Sequence, residues 1–248
     1  MSADSDPAGN PMHGSSVRII LVEPAGEWNV GAVARVMKNF GSRELFLVQP
    51  RCDWLGEKAR QMAVHAAEIL IQAQVVPDLA TALAGCHRAV GTLGRTPPGE
   101  PLKQVLPWLL ADTQPVALVF GSEDRGLTWA ELQLTQRRVT LPTSPDYYSL
   151  NLAQAVGICL YEIYQYQQQY PQPNPASAGH SVPLELIEDY LRDLEDLLLS
   201  VGYLYPHTRK RRMAKIRQLL HRAAPSAAEL ALLRGMIRQI RWAMGREP

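Results

Sequence analysis

The sequence predicts an α/β fold, a parallel sheet covered by helices, followed by a small all-helical domain. From residue 17 to about residue 168, short apolar segments alternate with segments of helical spacing, the pattern of strands joined by crossover helices. The proline-rich stretch YPQPNPASAGHSVP interrupts this pattern, and the periodic segments beyond it are helical. The chain has 248 residues, of which 46% are hydrophobic, so it can bury a substantial core.

Six strands are predicted, in chain order VRIILV, ELFLVQ, AQVV, HRAVGTL, PVALVF and RRVTL. The helix-like segments of this region lie at about 29–40, 57–71, 78–85, 101–111, 128–135 and 149–168. Asn29 is expected to cap the first helix, and Gly41 follows its last turn as a C-cap does. Thr128-x-x-Glu131 has the form of a capping box.

Composition divides the chain into four parts. Residues 1–15 are polar and are predicted to form a disordered tail, and residues 16–169 form the α/β domain. Residues 170–183 contain four prolines and are predicted to be a linker. Residues 184–248 are predicted to form a helical domain that binds RNA.

Two helices of that domain show an apolar face. One contains Met213, Ile216, Leu219 and Leu220, and the other repeats Leu230, Leu233, Ile237 and Ile240 at helical spacing. Ser226-x-x-Glu229 has the form of a capping box that opens the second helix.

Composition also limits compartment and partners. Cys52, Cys86 and Cys159 stand alone, which disfavours a disulfide framework or a metal site and favours a reducing cytoplasm. The N-terminus lacks the basic and apolar regions of a signal peptide. No apolar stretch approaches the ~20 residues that cross a membrane, so no membrane partner is expected.

The charge distribution is more informative than the net charge of +1. From 209 to 222 the sequence RKRRMAKIRQLLHR contains seven basic residues and no acidic one. The segment just before it, ELIEDYLRDLEDLL, contains six acidic residues and one arginine. Such asymmetry indicates a polyanionic partner.

Four loops at predicted strand ends combine small residues with polar side chains. They are NVGAVAR after the first strand, GTLGRT at 91–96, FGSEDRGL at 120–127, and the segment from VTLPTSP to SLNLAQAV. Ligands of open parallel sheets bind at the carboxyl ends of the strands. Considered one at a time, these residues have ordinary structural roles: Asn29 is typical of a helix cap, Arg35 of a solvated position on a helix, and Ser149 of a helix start.

Three of these segments resemble a known family. NVGAVAR, LVFGSEDRGLT and SLNLAQAV, in this order and spacing, resemble the three motifs of the SPOUT superfamily of knotted methyltransferases, in its TrmH branch of RNA ribose 2'-O-methyltransferases. The helical tail, with LLLSVGYLYPH and LLHRAAPSAAELALLRGMIRQI, is most similar to that of the TrmJ group, which methylates nucleotide 32 of tRNA. The resemblance covers residues 16–245.

The resemblance implies S-adenosylmethionine as cofactor, tRNA rather than DNA as substrate, a homodimer, and a trefoil knot that forms the cofactor pocket. The cofactor contacts that it implies are Thr92, Leu93, Gly94, Gly121, Leu141, Tyr148, Ser149 and Leu150. The catalytic motif residues that it implies are Asn29, Arg35, Glu123, Ser149 and Asn151. From the basic stretch, RNA contacts are expected of Arg209, Lys210, Arg211, Arg212 and Lys215.

Roles follow for several of these residues. In the family, the residue that matches Arg35 is placed at the ribose hydroxyl as its proton acceptor. Because arginine is effectively always protonated, we expect Arg35 to orient the hydroxyl and stabilise the developing alkoxide. Asn29 and Arg35 would hold the ribose and its phosphate. Ser149 would contact substrate or cofactor, while Glu123 and Asn151 would brace the loops.

Two alternatives stay open: an enzyme of the same family that methylates ribosomal RNA, and a non-catalytic RNA-binding module with the same fold. An NAD-dependent oxidoreductase is disfavoured because no Gly-x-Gly-x-x-Gly follows a predicted strand. Gly94 and Tyr148 stand where many similar sequences carry alanine and serine, so the preference between cytidine and uridine is open.

Overall fold

The computed structural model describes residues 16–94, 99–144, 146–170 and 182–245. The predicted tail at 1–15 and most of the predicted linker at 170–183 lie outside these ranges. None of the helices within them has the length and hydropathy that crossing a bilayer requires.

The described strands form one parallel sheet of seven, as the sequence predicts for the fold class. They are β1 (Val17–Val22), β2 (Leu45–Val48), β3 (Gln74–Val76), β4 (Arg88–Leu93), β5 (Glu100–Pro101), β6 (Val116–Phe120) and β7 (Arg137–Thr140). Their order across the sheet is β3-β2-β1-β6-β4-β7-β5. Sequence analysis missed β5, because two residues paired only with β7 carry no periodicity.

The central strands are continuous apolar runs because helices cover both faces of the sheet. Ile19, Ile20 and Leu21 of β1 have no exposed surface, and every residue of β6 is buried. The register between them pairs Ile19 with Leu118 and Leu21 with Phe120. The topology places β1, β6, β4 and β7 side by side. The four loops that the sequence singles out therefore leave one continuous edge of the sheet.

Within the described residues, seven α-helices and one short 3-10 helix flank or connect the strands, and an eighth α-helix begins the helical domain. They are α1 (Glu27–Asn39), α2 (Glu57–Ala63), the 3-10 helix Val64–Ala66, α3 (Ala67–Gln72), α4 (Leu79–Leu83), α5 (Leu102–Leu109), α6 (Trp129–Gln133), α7 (Leu152–Gln169) and α8 (Leu184–Ser200). The predicted single helix at 57–71 is interrupted at Val64, whose φ of 53° cannot continue an α-helix. The capping box of Thr128 and Glu131 is confirmed at the start of α6.

The helix α1 differs from its prediction at its N-terminus. Its N-cap is Gly26, so the prediction that Asn29 caps it is wrong. Asn29 lies in the first turn, and its side chain contacts other loops of the domain. At the other end Gly41 adopts a φ of 72°, and its amide donates to the Lys38 carbonyl at 3.2 Å. This conformation confirms Gly41 as the C-terminal glycine.

The helix α7 begins three residues later than predicted. Its N-cap is Asn151, which forms a capping box with Gln154. Ser149, expected at the helix start, precedes the cap in irregular structure. The trefoil knot implied by the resemblance stays a prediction, since residues 95–98 and 145 lie outside the described residues.

The helical domain consists of α8, α9 (Arg209–Ala223) and α10 (Ala227–Met244), and the capping box of Ser226 and Glu229 is confirmed. Its core includes Met213, Leu220, Leu230 and Ile237, as the apolar faces predict. Leu219 and Ile240, which the sequence places on the same apolar faces, are instead 56% and 46% exposed. A bundle of three helices has only one buried side for each helix, and both residues lie beyond it.

The two domains are joined by direct contacts. Leu184 packs into the core of the α/β domain, and its amide donates to the Cys86 carbonyl at 2.9 Å. Between the neighbouring residues, the Gly85 amide donates to Glu185 Oε2 at 3.0 Å. The start of α8 is thereby held against the sheet domain.

Candidate active site at the carboxyl edge of the sheet

A cavity of about 510 Å³ lies between the loops that follow β4, β6 and β7. Small-molecule sites range from about 300 to about 1,000 Å³. Its lining includes all eight residues expected to contact the cofactor: Thr92, Leu93, Gly94, Gly121, Leu141, Tyr148, Ser149 and Leu150. These residues come from three segments far apart in the chain, so only the folded sheet brings them together.

The walls of the cavity suit a cofactor with an aromatic base. Phe120, Leu93, Leu141 and Leu150 supply apolar surface. A side chain at Gly94 would meet no atom within 4 Å, so the backbone there is open to a ligand. Apolar walls with accessible backbone groups are what adenine recognition requires.

The loop after β6 folds back on itself beside the cavity. The Gly126 amide donates to the Ser122 carbonyl at 2.8 Å, and Gly126 adopts a φ of 67°. A Cβ at Gly121 would lie 2.0 Å from the carbonyl carbon of Gly126. Only glycine at position 121 permits this close approach.

Three predicted catalytic residues meet in one hydrogen-bonded network. Asn29 Nδ2 donates to Glu123 Oε1 at 2.8 Å, and Asn151 Nδ2 donates to Asn29 Oδ1 at 2.8 Å. Glu123 also accepts from the amides of Ala25 and Gly26, each at 3.0 Å. The network joins the start of α1, the loop after β6 and the cap of α7.

The network determines the charge state of Glu123. Partial burial acts to raise its pKa, but the hydrogen bonds from Asn29 and from the Ala25 and Gly26 amides outweigh this effect. The pKa of Glu123 therefore lies below its ordinary value. A carboxylate with this low proton affinity and several donors is suited to holding loops together rather than to accepting a proton.

Outer ion pairs that the sequence analysis missed hold the same loop. Arg51 Nη2 lies 3.0 Å from both carboxylate oxygens of Asp124. Arg125 pairs with Glu131 at 3.0 Å and with Glu23, at the end of β1, at 3.1 Å. No local signal marks these pairs, since Arg51 and Asp124 are 73 positions apart.

Arg35 differs from the other predicted catalytic residues. It lies on α1, is exposed, and does not line the cavity. Within the described ranges its guanidinium forms no hydrogen bond or ion pair. Ser149 lines the cavity and is exposed. Arg35 is thus free to meet a ligand from outside the chain.

A family model connects this site with known proteins. Residues 16–161 match the model described as the SpoU rRNA Methylase family. The chain belongs to this family. Residues 185–248 match a second model, described as the C-terminal domain of the tRNA methyltransferase TrmJ.

Individual members of the SpoU family are similar over nearly the full chain. The tRNA (cytidine/uridine-2'-O-)-methyltransferase TrmJ of Klebsiella pneumoniae is 37% identical, with 91% of this chain and 96% of that protein covered. The protein of the same name from Cronobacter sakazakii is 36% identical, with coverages of 94% and 99%. The crystal structure of TrmJ from Z. mobilis superposes with a TM-score of 0.80 at 32% identity, covering 90% of this chain and 98% of that one.

The part that matches the TrmJ domain contains the basic stretch, now helix α9. Arg209 pairs with Glu195 at 2.8 Å, and Arg212 donates to the Tyr203 carbonyl at 2.6 Å. The predicted RNA contacts Lys210, Arg211 and Lys215 are exposed, and among the described residues they form no ion pair.

Of the two remaining cations of the basic stretch, one is likewise paired and the other is not. Arg217 forms two hydrogen bonds with Glu188, at 2.7 and 2.8 Å, whereas Arg222 is exposed and forms no ion pair within the described residues. The seven cations are therefore not equally available to RNA, because three have protein partners.

Proposed function

We propose that this protein transfers a methyl group from S-adenosylmethionine to the 2'-hydroxyl of a cytidine or uridine ribose in tRNA. The observation that carries the proposal is the meeting of three distant motifs at one cavity. Asn29, Glu123 and Asn151 are joined by hydrogen bonds, and the loops they hold form its wall. The similarity to proteins named tRNA (cytidine/uridine-2'-O-)-methyltransferase supports the substrate class.

The cavity residues fit the cofactor by their chemistry. S-adenosylmethionine supplies an electrophilic methyl group on a positively charged sulfur. Leu93, Leu141 and Leu150 would enclose its adenine, and the backbone at Gly94 and Gly121 would bind its polar edges. These apolar walls also keep water away from the reacting atoms.

Arg35 and Ser149 act on the RNA side in this proposal. The 2'-hydroxyl must lie in line with the methyl group, and such positioning can lower the free-energy barrier of a reaction by up to about 7–11 kcal/mol. The free guanidinium of Arg35 would orient the ribose and its phosphate and stabilise negative charge on the 2'-oxygen. The methyl–sulfur bond would break as the methyl–oxygen bond forms, leaving S-adenosylhomocysteine, and the hydroxyl proton would pass to solvent water. Ser149 lies at the cavity wall, where it contacts substrate or cofactor.

The helical domain is the proposed tRNA-binding part. Its unpaired cations on α9 would contact phosphates, with Lys210, Arg211 and Lys215 as direct contacts. Arg209 and Arg212 would contribute after exchanging or sharing their protein partners. The proposed target is nucleotide 32 of the anticodon loop, and the proposed compartment is the cytoplasm.

A homodimer is part of the same proposal. The inner side of α7 packs on its own domain, so the side free for a partner carries Ile158, Tyr161 and Tyr164, which are 40%, 49% and 39% exposed. Tyr161 and Tyr164 also contact the ring of Phe40, with centroids 6.2 and 5.9 Å apart. Light scattering tests this: a dimer that Tyr161→Glu dissociates supports it, and an active monomer contradicts it.

The deciding experiment combines the purified protein with methyl-labelled S-adenosylmethionine and, in parallel reactions, with unmodified tRNA and unmodified ribosomal RNA. Nuclease digestion and mass spectrometry should find the label on the ribose of nucleotide 32. A matched tRNA with a 2'-deoxyribose at that position should remain unlabelled. Label on a base would refute the proposal. Label on ribosomal RNA alone would favour a ribosomal RNA methyltransferase, and cofactor binding without methyl transfer would favour a non-catalytic RNA-binding module.

A further inference from the structure

The segment 201–208, between α8 and α9, exposes three aromatic side chains together. Tyr203 and Tyr205 are 56% and 53% exposed. The rings of Tyr205 and His207 are stacked, with centroids 5.9 Å apart and planes 18° apart. The guanidinium of Arg212 lies 5.1 Å from the centroid of Tyr203. Exposed aromatic rings that do not serve the core are candidates for an interaction site.

This segment is held in place although its rings face solvent. Leu204 is 2% exposed and packs into the core of the helical domain. The Tyr203 carbonyl accepts from Arg212 at 2.6 Å, and the Tyr205 carbonyl accepts from the Thr208 amide at 2.9 Å. The backbone that carries the rings is therefore ordered before a ligand binds, which reduces the conformational entropy lost on binding.

Unpaired positive charge follows the aromatic segment directly along the chain. Lys210 and Arg211 occupy the first turn of α9, are exposed, and form no ion pair within the described residues. That turn contains no acidic residue. Cations at a helix N-terminus oppose the helix dipole, so they do not stabilise α9 itself. An anionic partner bound at this turn would offset that cost.

Aromatic faces beside cations match the chemistry of unpaired RNA. Bases in a loop expose their faces for stacking, whereas bases in a duplex hide them. Proteins that bind single strands combine stacking rings with cations that contact the backbone. We propose that Tyr203, Tyr205 and His207 form a stacking platform for unpaired bases of the tRNA, with Lys210 and Arg211 on the adjoining phosphates. This inference rests on tRNA being the substrate.

The test separates bases from phosphates. Fluorescence anisotropy would measure the affinity of the full chain for an anticodon stem-loop and for the same RNA with abasic loop nucleotides. Stacking predicts that the abasic loop binds the unaltered protein about tenfold more weakly. The double variant Tyr203→Ala and Tyr205→Ala should lose about the same factor on the intact RNA and almost nothing on the abasic RNA.

Three variants control for bulk and folding. Tyr205→Phe should retain the affinity, Tyr205→Leu should lose it although it keeps apolar volume, and Val201→Ala, at a position 47% exposed in the same segment, should have no effect. Circular dichroism and the unfolding temperature would confirm that each variant folds. An equal loss on both RNAs, no loss on either, or a change in oligomeric state without loss of RNA affinity would overturn the platform.

Methyl transfer by the unaltered protein separates this inference from the proposed function. If tRNA is methylated but the abasic loop binds as well as the intact loop, the platform is wrong and the function stands. If intact loops are preferred through Tyr203 and Tyr205 but no ribose is methylated, the platform stands and the function fails.

Discussion

The loops around the cavity and the helix α9 use charged side chains in opposite ways. Around the cavity, Glu123, Asp124 and Arg125 are all bonded to other parts of the chain. On α9, Lys210, Lys215 and others face solvent and form no ion pair within the described residues. The difference indicates that the first region fixes a geometry, while the second keeps charge available.

Arg35 resembles the cations of α9 more than the charged residues of the loops. Within the described residues it is an unpaired, exposed cation, on a helix whose first turn belongs to the network of Asn29. Six residues along a helix correspond to about 9 Å, so Arg35 lies near the fixed region but outside it. The comparison therefore groups Arg35 with the cations that we propose contact RNA.

The largest expected effect comes from removing the side chain of Arg35. Arg35→Ala should lower the rate of methyl transfer about 10²- to 10³-fold, the usual loss for a group that stabilises charge in the transition state. Cofactor affinity should be nearly unchanged, because Arg35 does not line the cavity. Single-turnover methylation and calorimetry measure the two quantities. Arg60→Ala, which removes another exposed arginine, should affect neither, and loss of cofactor binding in the Arg35 variant would contradict its assignment.

The second effect tests the buried side of α9. His221 is 7% exposed, and burial, opposed by Glu188 and assisted by Arg217 and Arg138, lowers its pKa to about 4. The unfolded chain, with an ordinary histidine pKa of about 6.5, takes up the proton first as pH falls. This contribution to stability is therefore complete above about pH 6.5 and decreases toward pH 4, by up to about 3 kcal/mol.

Urea unfolding of His221→Gln measures that contribution. The variant should lose less stability than the unaltered protein between about pH 7 and about pH 4.5, where the unfolded histidine is protonated. His65→Gln, which replaces an exposed histidine, is the matched control. Identical pH profiles for all three proteins would contradict this prediction, because they would show that folding does not lower the pKa of His221.

A smaller loss is expected when the network around the cavity is broken. Glu123→Ala leaves the Asn29 amide and the backbone amides of Ala25 and Gly26 without their acceptor. Because the site is partly exposed, water replaces some of these bonds, and we expect a loss of about 1–2 kcal/mol in unfolding free energy. Weaker cofactor binding should accompany it.

Thermal unfolding and calorimetry measure this pair of effects. Glu57→Ala removes an exposed carboxylate whose one hydrogen bond within the described residues is to the Gln61 side chain, and it should cost less than half as much. The interpretation of Glu123 as a brace would be wrong if its variant kept full stability and cofactor affinity but lost activity, since that is the behaviour of a catalytic group.

The smallest effect compares two cations of α9 directly. Lys215→Ala should reduce the salt dependence of RNA binding by about 0.7–0.9 in the log–log slope, with a loss of a few-fold in affinity. Arg217→Ala should leave the slope unchanged and instead lower stability, because Arg217 is bonded to Glu188. Binding titrations at several salt concentrations measure both. Equal slopes for the two variants would remove the distinction between paired and unpaired cations.

Much of the fold could be predicted because each buried strand is a local apolar run. The runs that became β1, β2, β4 and β6 are recognisable without their neighbours. The two-residue strand β5 was missed because its only signal is its pairing with β7. The interruption at Val64 was missed because no glycine or proline marks it.

Some residues around the cavity could be predicted from local motifs, whereas contacts that depend on distant segments could not. The eight residues that the motif resemblance assigns to the cofactor all line the cavity, as does Glu123, and their roles stay predictions. The resemblance did not distinguish Asn29 from Asn151, although the structure makes only Asn151 a helix cap. The pairing of Arg51 with Asp124 was invisible, because it depends on which strands are neighbours in the sheet.

The sequence by itself determined the class of fold, the order of its elements, the motif residues and the surplus of cations in α9. These properties are local, because periodicity, caps and composition act over a few neighbouring residues. Tertiary structure alone decided that β1, β6, β4 and β7 lie side by side, which brings their loops to one cavity. It also decided which cations are paired and which stay free, because the distance between two charges depends on the folded chain rather than on their separation in sequence.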